Sequence, residues 1–129
     1  MDIRTVLVVD DEPDIRIVAD LSLRAIGGWQ TTLVASGAEA LAAIAARRPD
    51  LVILDVMMPE MDGPQTLAHI QADPGLKGLP VIFLTAKAQT RDIERFLALG
   101  AAGVLSKPFD PMQLPGQVRA ITDALGEPQ

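Results

Sequence analysis

Apolar residues in this chain fall into two kinds of pattern that take turns. Short continuous runs end abruptly on polar residues, and longer stretches repeat apolar positions every three or four residues. The clearest run is Leu51-Val52-Ile53-Leu54, which stops on Asp55 and is followed by Val56-Met57-Met58-Pro59 and then Asp62-Gly63. A run of this length between turn residues suits a strand buried on both faces. Ile3 to Val9, ending in Asp10-Asp11-Glu12, reads the same way. So do Pro80 to Leu84, ending at Thr85, and Ala101 to Leu105, ending at Ser106-Lys107-Pro108. Trp29 to Ala35 is more mixed, which places it near a sheet edge with Trp29 starting the strand close to the surface.

Helical stretches lie between the runs. Pro13 suits a first turn, where its missing N–H is not needed. Ile15, Val18, Leu21 and Ala25 then mark one apolar face, and Gly27-Gly28 marks its stop. Ser36 with Glu39 has the spacing of a capping box. It opens a helix carrying Leu41, Ile44 and Ala45, which Arg47-Arg48-Pro49 closes. Pro64 to Gln71 predicts a short or loosely defined helix. Gln89 to Leu99 carries Ile93, Phe96 and Leu97 at helical spacing. Leu114, Val118, Ile121 and Leu125 share a face of the last helix, with Pro115 in its first turn. Residues 126–129 read as a frayed tail. Five strands alternating with five helices predict an α/β domain with a parallel sheet covered on both faces.

Composition narrows the field. With 129 residues the chain has room for one domain, residues 1–129, and 49% hydrophobic residues supply a core. There are no cysteines, which excludes disulfides, thiol catalysis and thiolate metal sites. The formal net charge of −6 argues against nucleic acid as a direct partner. No apolar run approaches membrane-span length, and no signal-peptide pattern is visible, so the expectation is a cytoplasmic domain with no membrane contact.

Strand ends carry the candidate chemistry. Asp10 and Asp11 follow the first strand, Asp55 the third, Thr85 the fourth and Lys107 the fifth. In a parallel sheet these positions converge on one edge, where open α/β sheets bind their ligands. Like charges about 4 Å apart cost on the order of 4 kcal/mol at an effective dielectric of about 20, so a proton or a cation must compensate. Clustered oxygens without His or Cys suit a hard ion such as Mg²⁺. An Asp beside such an ion and a Lys is also a plausible nucleophile for phosphoryl transfer. His69 lacks ligating neighbours in the pattern and reads as a surface residue. Arg47-Arg48, Arg91 and Arg95 read as solvated helix faces.

The motifs Val9-Asp10-Asp11-Glu12, Asp55-Val56-Met57-Met58-Pro59-Glu60-Met61-Asp62-Gly63, Leu84-Thr85-Ala86 and Ser106-Lys107-Pro108-Phe109 stand in one order and spacing. Together they resemble a response-regulator receiver domain over essentially the whole chain. That resemblance implies a flavodoxin-like doubly wound sheet of order 2-1-3-4-5. It implies that Asp55 accepts a phosphoryl group from a sensor histidine kinase or phosphotransfer protein. Asp11 and Asp55 match direct Mg²⁺ ligands, Asp10 a ligand acting through water, and Met57 a ligand through its main-chain carbonyl. Lys107 matches the phosphate-pairing lysine and precedes a typically cis proline. Thr85 matches the hydroxyl that moves toward the phosphoryl group. The expected output is an altered face that binds an unknown protein target or a second copy. Val104 departs from the pattern, standing where many members carry Tyr or Phe.

Other functions fit less well. A haloacid-dehalogenase-like phosphatase would need a second Asp two residues after Asp55, where Met57 stands. A nucleotide site would need a Gly-rich loop after the first strand. A binding scaffold without phosphorylation would not need the acid set to be complete. No output segment follows Leu125 in this sequence, which suits either a stand-alone regulator or a piece of a longer one.

Overall fold

The structure, a computed structural model, describes residues 2–125. The tail expected at 126–129 lies outside the described residues. Five strands form one parallel sheet: β1 (Thr5–Val9), β2 (Gln30–Val34), β3 (Leu51–Asp55), β4 (Val81–Thr85) and β5 (Gly103–Ser106). Their order is β2-β1-β3-β4-β5. The α-helices are α1 (Pro13–Leu21), α2 (Gly37–Ala46), α3 (Gly63–Ala72), α4 (Thr90–Ala98) and α5 (Leu114–Ala124).

Successive strand residues point to opposite faces. Leu7, Val9, Val52, Leu54, Val81 and Phe83 pack toward α2, α3 and α4, against Ala40, Ile44, Leu67, Ile70 and Phe96. Val6, Val8, Leu51, Ile53, Ile82 and Leu84 pack toward α1 and α5, against Ala19, Leu23, Leu114 and Val118. Every residue of β3 and β4 is buried, which is why those runs contain no polar residue before their last position. Phe83 meets Phe96 edge to face at 5.1 Å, a contact that adds about 0.5–1.5 kcal/mol beyond area burial.

Four expectations need correction. The buried face of α1 and its continuation is Ala19, Ser22 and Leu23, whereas Val18 and Leu21, placed on it by their spacing, are exposed, as is Ala25. The spacing misled because the inward positions Ile15, Ala19, Ser22 and Leu23 include small and polar residues that apolar size does not mark, and Ala25 falls within a π-turn at Ser22–Ile26 that shifts the register. Trp29 is not a surface residue at the start of β2. It precedes the strand, is buried, and packs under the Arg119 guanidinium, 4.8 Å from its ring. Ser36 does cap α2 through the Glu39 N–H, but the Glu39 carboxylate accepts from Ala35 N–H rather than from the cap residue itself. Finally, α3 is firmly started. Asp62 and Gln65 form a reciprocal capping box, a pattern hidden because Asp62 doubles as part of the turn after β3.

Gly63 sits where α3 begins directly beneath the end of β3. A Cβ there would stand 2.7 Å from the Asp55 carbonyl oxygen and 2.9 Å from Val56 Cα. Backbone cannot swing aside as a side chain does. Gly63→Ala is therefore expected to cost about 1–3 kcal/mol, read as a lower urea midpoint. An unchanged midpoint would show that the chain around Asp55 yields freely.

Candidate functional site

All the polar residues that end strands lie on one rim. Asp55 is the last residue of β3, and its Cα pairs with Leu84 of β4. Thr85 ends β4, paired with Ser106 of β5, and Lys107 follows at once. Asp10 follows β1 directly, held there by its N–H donating to the Val34 carbonyl. Parallel strands in register thus bring the polar ends of four sequence-distant strands to one rim, as their positions predicted. The Lys107–Pro108 peptide is cis.

Lys107 Nζ lies at the centre. It stands 2.8 Å from Asp10 Oδ2, 3.2 Å from Asp55 Oδ1 and 3.5 Å from Glu12 Oε1. Asp10 and Asp55 are almost wholly buried, at 0% and 2% exposure. A carboxylate oxygen from each of Asp10, Asp11 and Asp55 lies within 4.8 Å of the others. Asp11 is exposed, so the cluster opens to solvent on that side. The Asp10 carboxylate is oriented by the Glu12 N–H, which donates to Oδ1 at 2.9 Å.

Burial, and then the Asp10 charge, push the Asp55 carboxyl up to about 7, against the opposing pull of Lys107. The Lys107 ammonium is held above its ordinary range. Burial works against its charge, but the Asp10 and Asp55 carboxylates outweigh that cost. One ammonium therefore serves several acids. Asp55 Oδ2 is buried with no hydrogen-bond partner, and Asp10 Oδ2 contacts Lys107 without hydrogen-bond alignment. Buried, unsatisfied carboxylate oxygens call for a cation or a proton. The donors are all oxygen, so the set fits a hard divalent ion.

Of the other predicted residues, Thr85 is buried and its hydroxyl accepts from the Lys87 N–H at 3.0 Å. Met57 presents its side chain to solvent, and its N–H points at Asp55 Oδ1 from 3.4 Å. Two contributors were not singled out from sequence. Glu12 shares Lys107, although it reads as a helix-start acid. Arg16 donates to the Asp10 carbonyl at 2.8 Å, tying the first full turn of α1 to the acid loop. Its place one turn after the acids was the only available signal.

Comparison with known proteins agrees with this geometry. The family model for the response regulator receiver domain matches residues 6–119. The DNA-binding response regulator MtrA of Mycolicibacterium smegmatis is 40% identical over 115 residues, covering 89% of this chain and 49% of that protein. Response regulator Rre1 of Synechocystis is also 40% identical over 115 residues, covering 89% of this chain and 50% of its own length. The chain thus spans about half the length of the curated relatives it matches. The chemotaxis response regulator CheY4 of Vibrio cholerae superposes with a TM-score of 0.86 at 32% identity, covering 93% of this chain and 99% of that one. A signal receiver domain of a histidine kinase from Syntrophus aciditrophicus gives 0.81 at 33% identity, covering 98% and 95%. With the acid cluster, the sheet order and the matched span in agreement, this chain belongs to the response regulator receiver domain family, whose members act as phosphorylation-controlled switches in two-component signalling.

Proposed function

We propose that Asp55 is the phospho-acceptor of this switch and that Asp10, Asp11, Asp55 and the Met57 carbonyl hold Mg²⁺ beside it. The observation that carries this reading is the pair of buried carboxylates around one ammonium, with oxygens left unsatisfied. Bound Mg²⁺ supplies charge neutralisation for a phosphoryl group in transfer. An Asp55 carboxylate oxygen bonds to phosphorus as the P–N bond of a phosphohistidine breaks. The imidazole keeps the bonding pair and takes up a proton. Lys107, already at Asp55, pairs with the new phosphoryl oxygens, and the Thr85 hydroxyl is placed to donate to one of them. The donor is a sensor histidine kinase or phosphotransfer protein in the cytoplasm.

This reading makes the domain a switch rather than an enzyme acting on a separate substrate. The change at Asp55 would alter a face that binds a downstream protein or a second copy. The relatives named as DNA-binding are about twice as long as the span they share with this chain. The reading keeps nucleic acid away from this domain, whose net charge is −6.

Three outcomes test these roles. Incubation with Mg²⁺ and a small acyl-phosphate donor should add one phosphoryl group to the wild-type mass. Asp55→Asn should add none, and Lys107→Ala should slow the reaction by roughly 100-fold or more. Phosphorylation of Asp55→Asn would overturn the assignment.

The raised Asp55 value sets a pH dependence. A carboxyl that titrates near 7 when folded, and near 4 when unfolded, binds its proton more tightly in the folded state. It therefore reduces stability as pH rises from about 4 to about 7, and the loss persists above. Asp55→Asn should stabilise the metal-free protein at pH 8 by on the order of 2 kcal/mol, with little gain near pH 4. Mg²⁺ should stabilise wild type more than the variant at pH 8. Equal melting curves for both proteins at pH 8 without metal would sink this account.

The life of the acyl phosphate is the third outcome. Exposed Met57 has a thioether, which neither holds nor orients an attacking water. Loss of radiolabel from Asp55 should take about minutes or longer. Decay within seconds would refute the role given to Met57.

A further inference from the structure

A second site lies at the opposite end of the sheet. Gln30 and Thr32 pair with Thr5 and Leu7, so they share the sheet face that α2 covers. Apolar residues normally fill such a position, as Val34 does two residues on. Both Gln30 and Thr32 are nevertheless exposed. The reason lies across from them. On its last turns α2 lines this side with the small side chains of Ala43 and Ala46. A trough of about 340 Å³ remains between them, with Leu7 in its lining. At about 30 Å³ per water-sized group it has room for roughly ten such groups.

The mouth of the trough is cationic. Arg47, which ends α2, has no ion pair or side-chain hydrogen bond among the described residues. Arg48 beside it is already committed, donating to the carbonyls of Gly75 and Lys77. An adjoining cleft shares Arg47 and Arg48 and adds Arg4 and Asp50. Asp50 does not neutralise Arg47. Its carboxylate accepts from the Arg4 N–H and from the N–H and hydroxyl of Thr5. The Gln30 amide and Thr32 hydroxyl make no side-chain hydrogen bond among the described residues.

We propose that this trough binds a small apolar-bodied carboxylate, its chain along Ala43 and Ala46 and its head on Arg47. A single uncommitted guanidinium fork matches a planar carboxylate in two parallel hydrogen bonds, whereas a dianionic phosphate would need a second free cation. Gln30 and Thr32 supply polar contacts at the strand side. Leu7, at the inner end of the trough, stands three residues before Asp10, about 10 Å at strand rise. Occupancy therefore leaves the acid cluster open.

The test uses octanoate as probe, followed by amide chemical shifts of ¹⁵N-labelled protein. Saturable shifts confined to β2, the end of α2 and residues 47–49 are expected, with a Kd of about 1 mM or tighter. Arg47→Glu, a surface change, should weaken binding about tenfold or more. Ala43→Phe should abolish it by filling the trough, with its melting curve checked against wild type. Neither variant should change acyl-phosphate labelling of Asp55. Equal affinity for octanol would overturn the role of Arg47. Absent or scattered shifts with octanoate, or unchanged binding by Arg47→Glu, would overturn the site. So would saturation of the same residues by a capped extended peptide alone, which would assign the trough to strand addition at β2.

Discussion

One ammonium among buried carboxylates is the constraint on which this molecule depends. Lys107 reaches Asp10 and Asp55 at hydrogen-bonding distance inside a site where both acids are cut off from water. Two buried like charges can sit this close only if something positive sits between them. That demand fixes more than a side chain. It requires β1, β3 and β5 to end at one level, and it requires an apolar sheet covered on both faces to exclude water. The same burial leaves the balance incomplete, since Asp55 stays near 7 instead of in the ordinary carboxylate range. The charges of the site are therefore already arranged but not fully matched.

Much of this was legible in the chain because strands buried on both faces admit almost no polar residue. A carboxylate, hydroxyl or ammonium at the end of such a run marks the strand end and the site together. Asp55, Thr85 and Lys107 are found this way without knowing the sheet order. Helices carry less information, because half of each faces water and small changes of pitch move a residue from one side to the other. The π-turn at Ser22–Ile26 is such a change and takes Ala25 with it, while Val18 and Leu21 were misplaced because small Ala19 and polar Ser22 hold the inward positions beside them. Trp29 was misread for a related reason. Its burial depends on Arg119, ninety residues away, whose guanidinium covers the ring and donates to the Gly27 carbonyl. Glu12 and Arg16 escaped notice because neither ends a buried apolar run, the feature that marks Asp55, Thr85 and Lys107.

The two flanks of the sheet are tied with different strength. On one side α1 and its π-turn are fastened to α5 and to the loop before it. Buried Ser22 donates to the Pro111 carbonyl, and Arg119 bridges Trp29 and Gly27. These bonds are part-buried, and each joins residues about ninety positions apart in sequence. On the other side α4 has a single fully buried side chain, Phe96, which Arg95 partly shields from 4.8 Å. Its first turn has no side-chain cap, and Ala86, Lys87, Gln89 and Thr90 before and at its start are exposed.

Those differences bear on how a charge change at Asp55 can spread. Local opening is drawn from segments with few buried contacts and exposed backbone. Thr85 stands at the junction, its hydroxyl accepting from Lys87 N–H in the lightly held loop that leads to α4. If that hydroxyl turns toward a phosphoryl oxygen, the Lys87 N–H loses its partner and the loop must rearrange around it. The α1–α5 flank offers no comparable release, because none of its ties involves the Thr85 hydroxyl. Val104, half-buried on β5 beside Phe83, contributes a compact branched side chain with no ring to relocate. On the proposed reading, the step from Asp55 outward would then run through the β4–α4 loop itself, since β5 has no aromatic side chain at this position to cross the sheet edge.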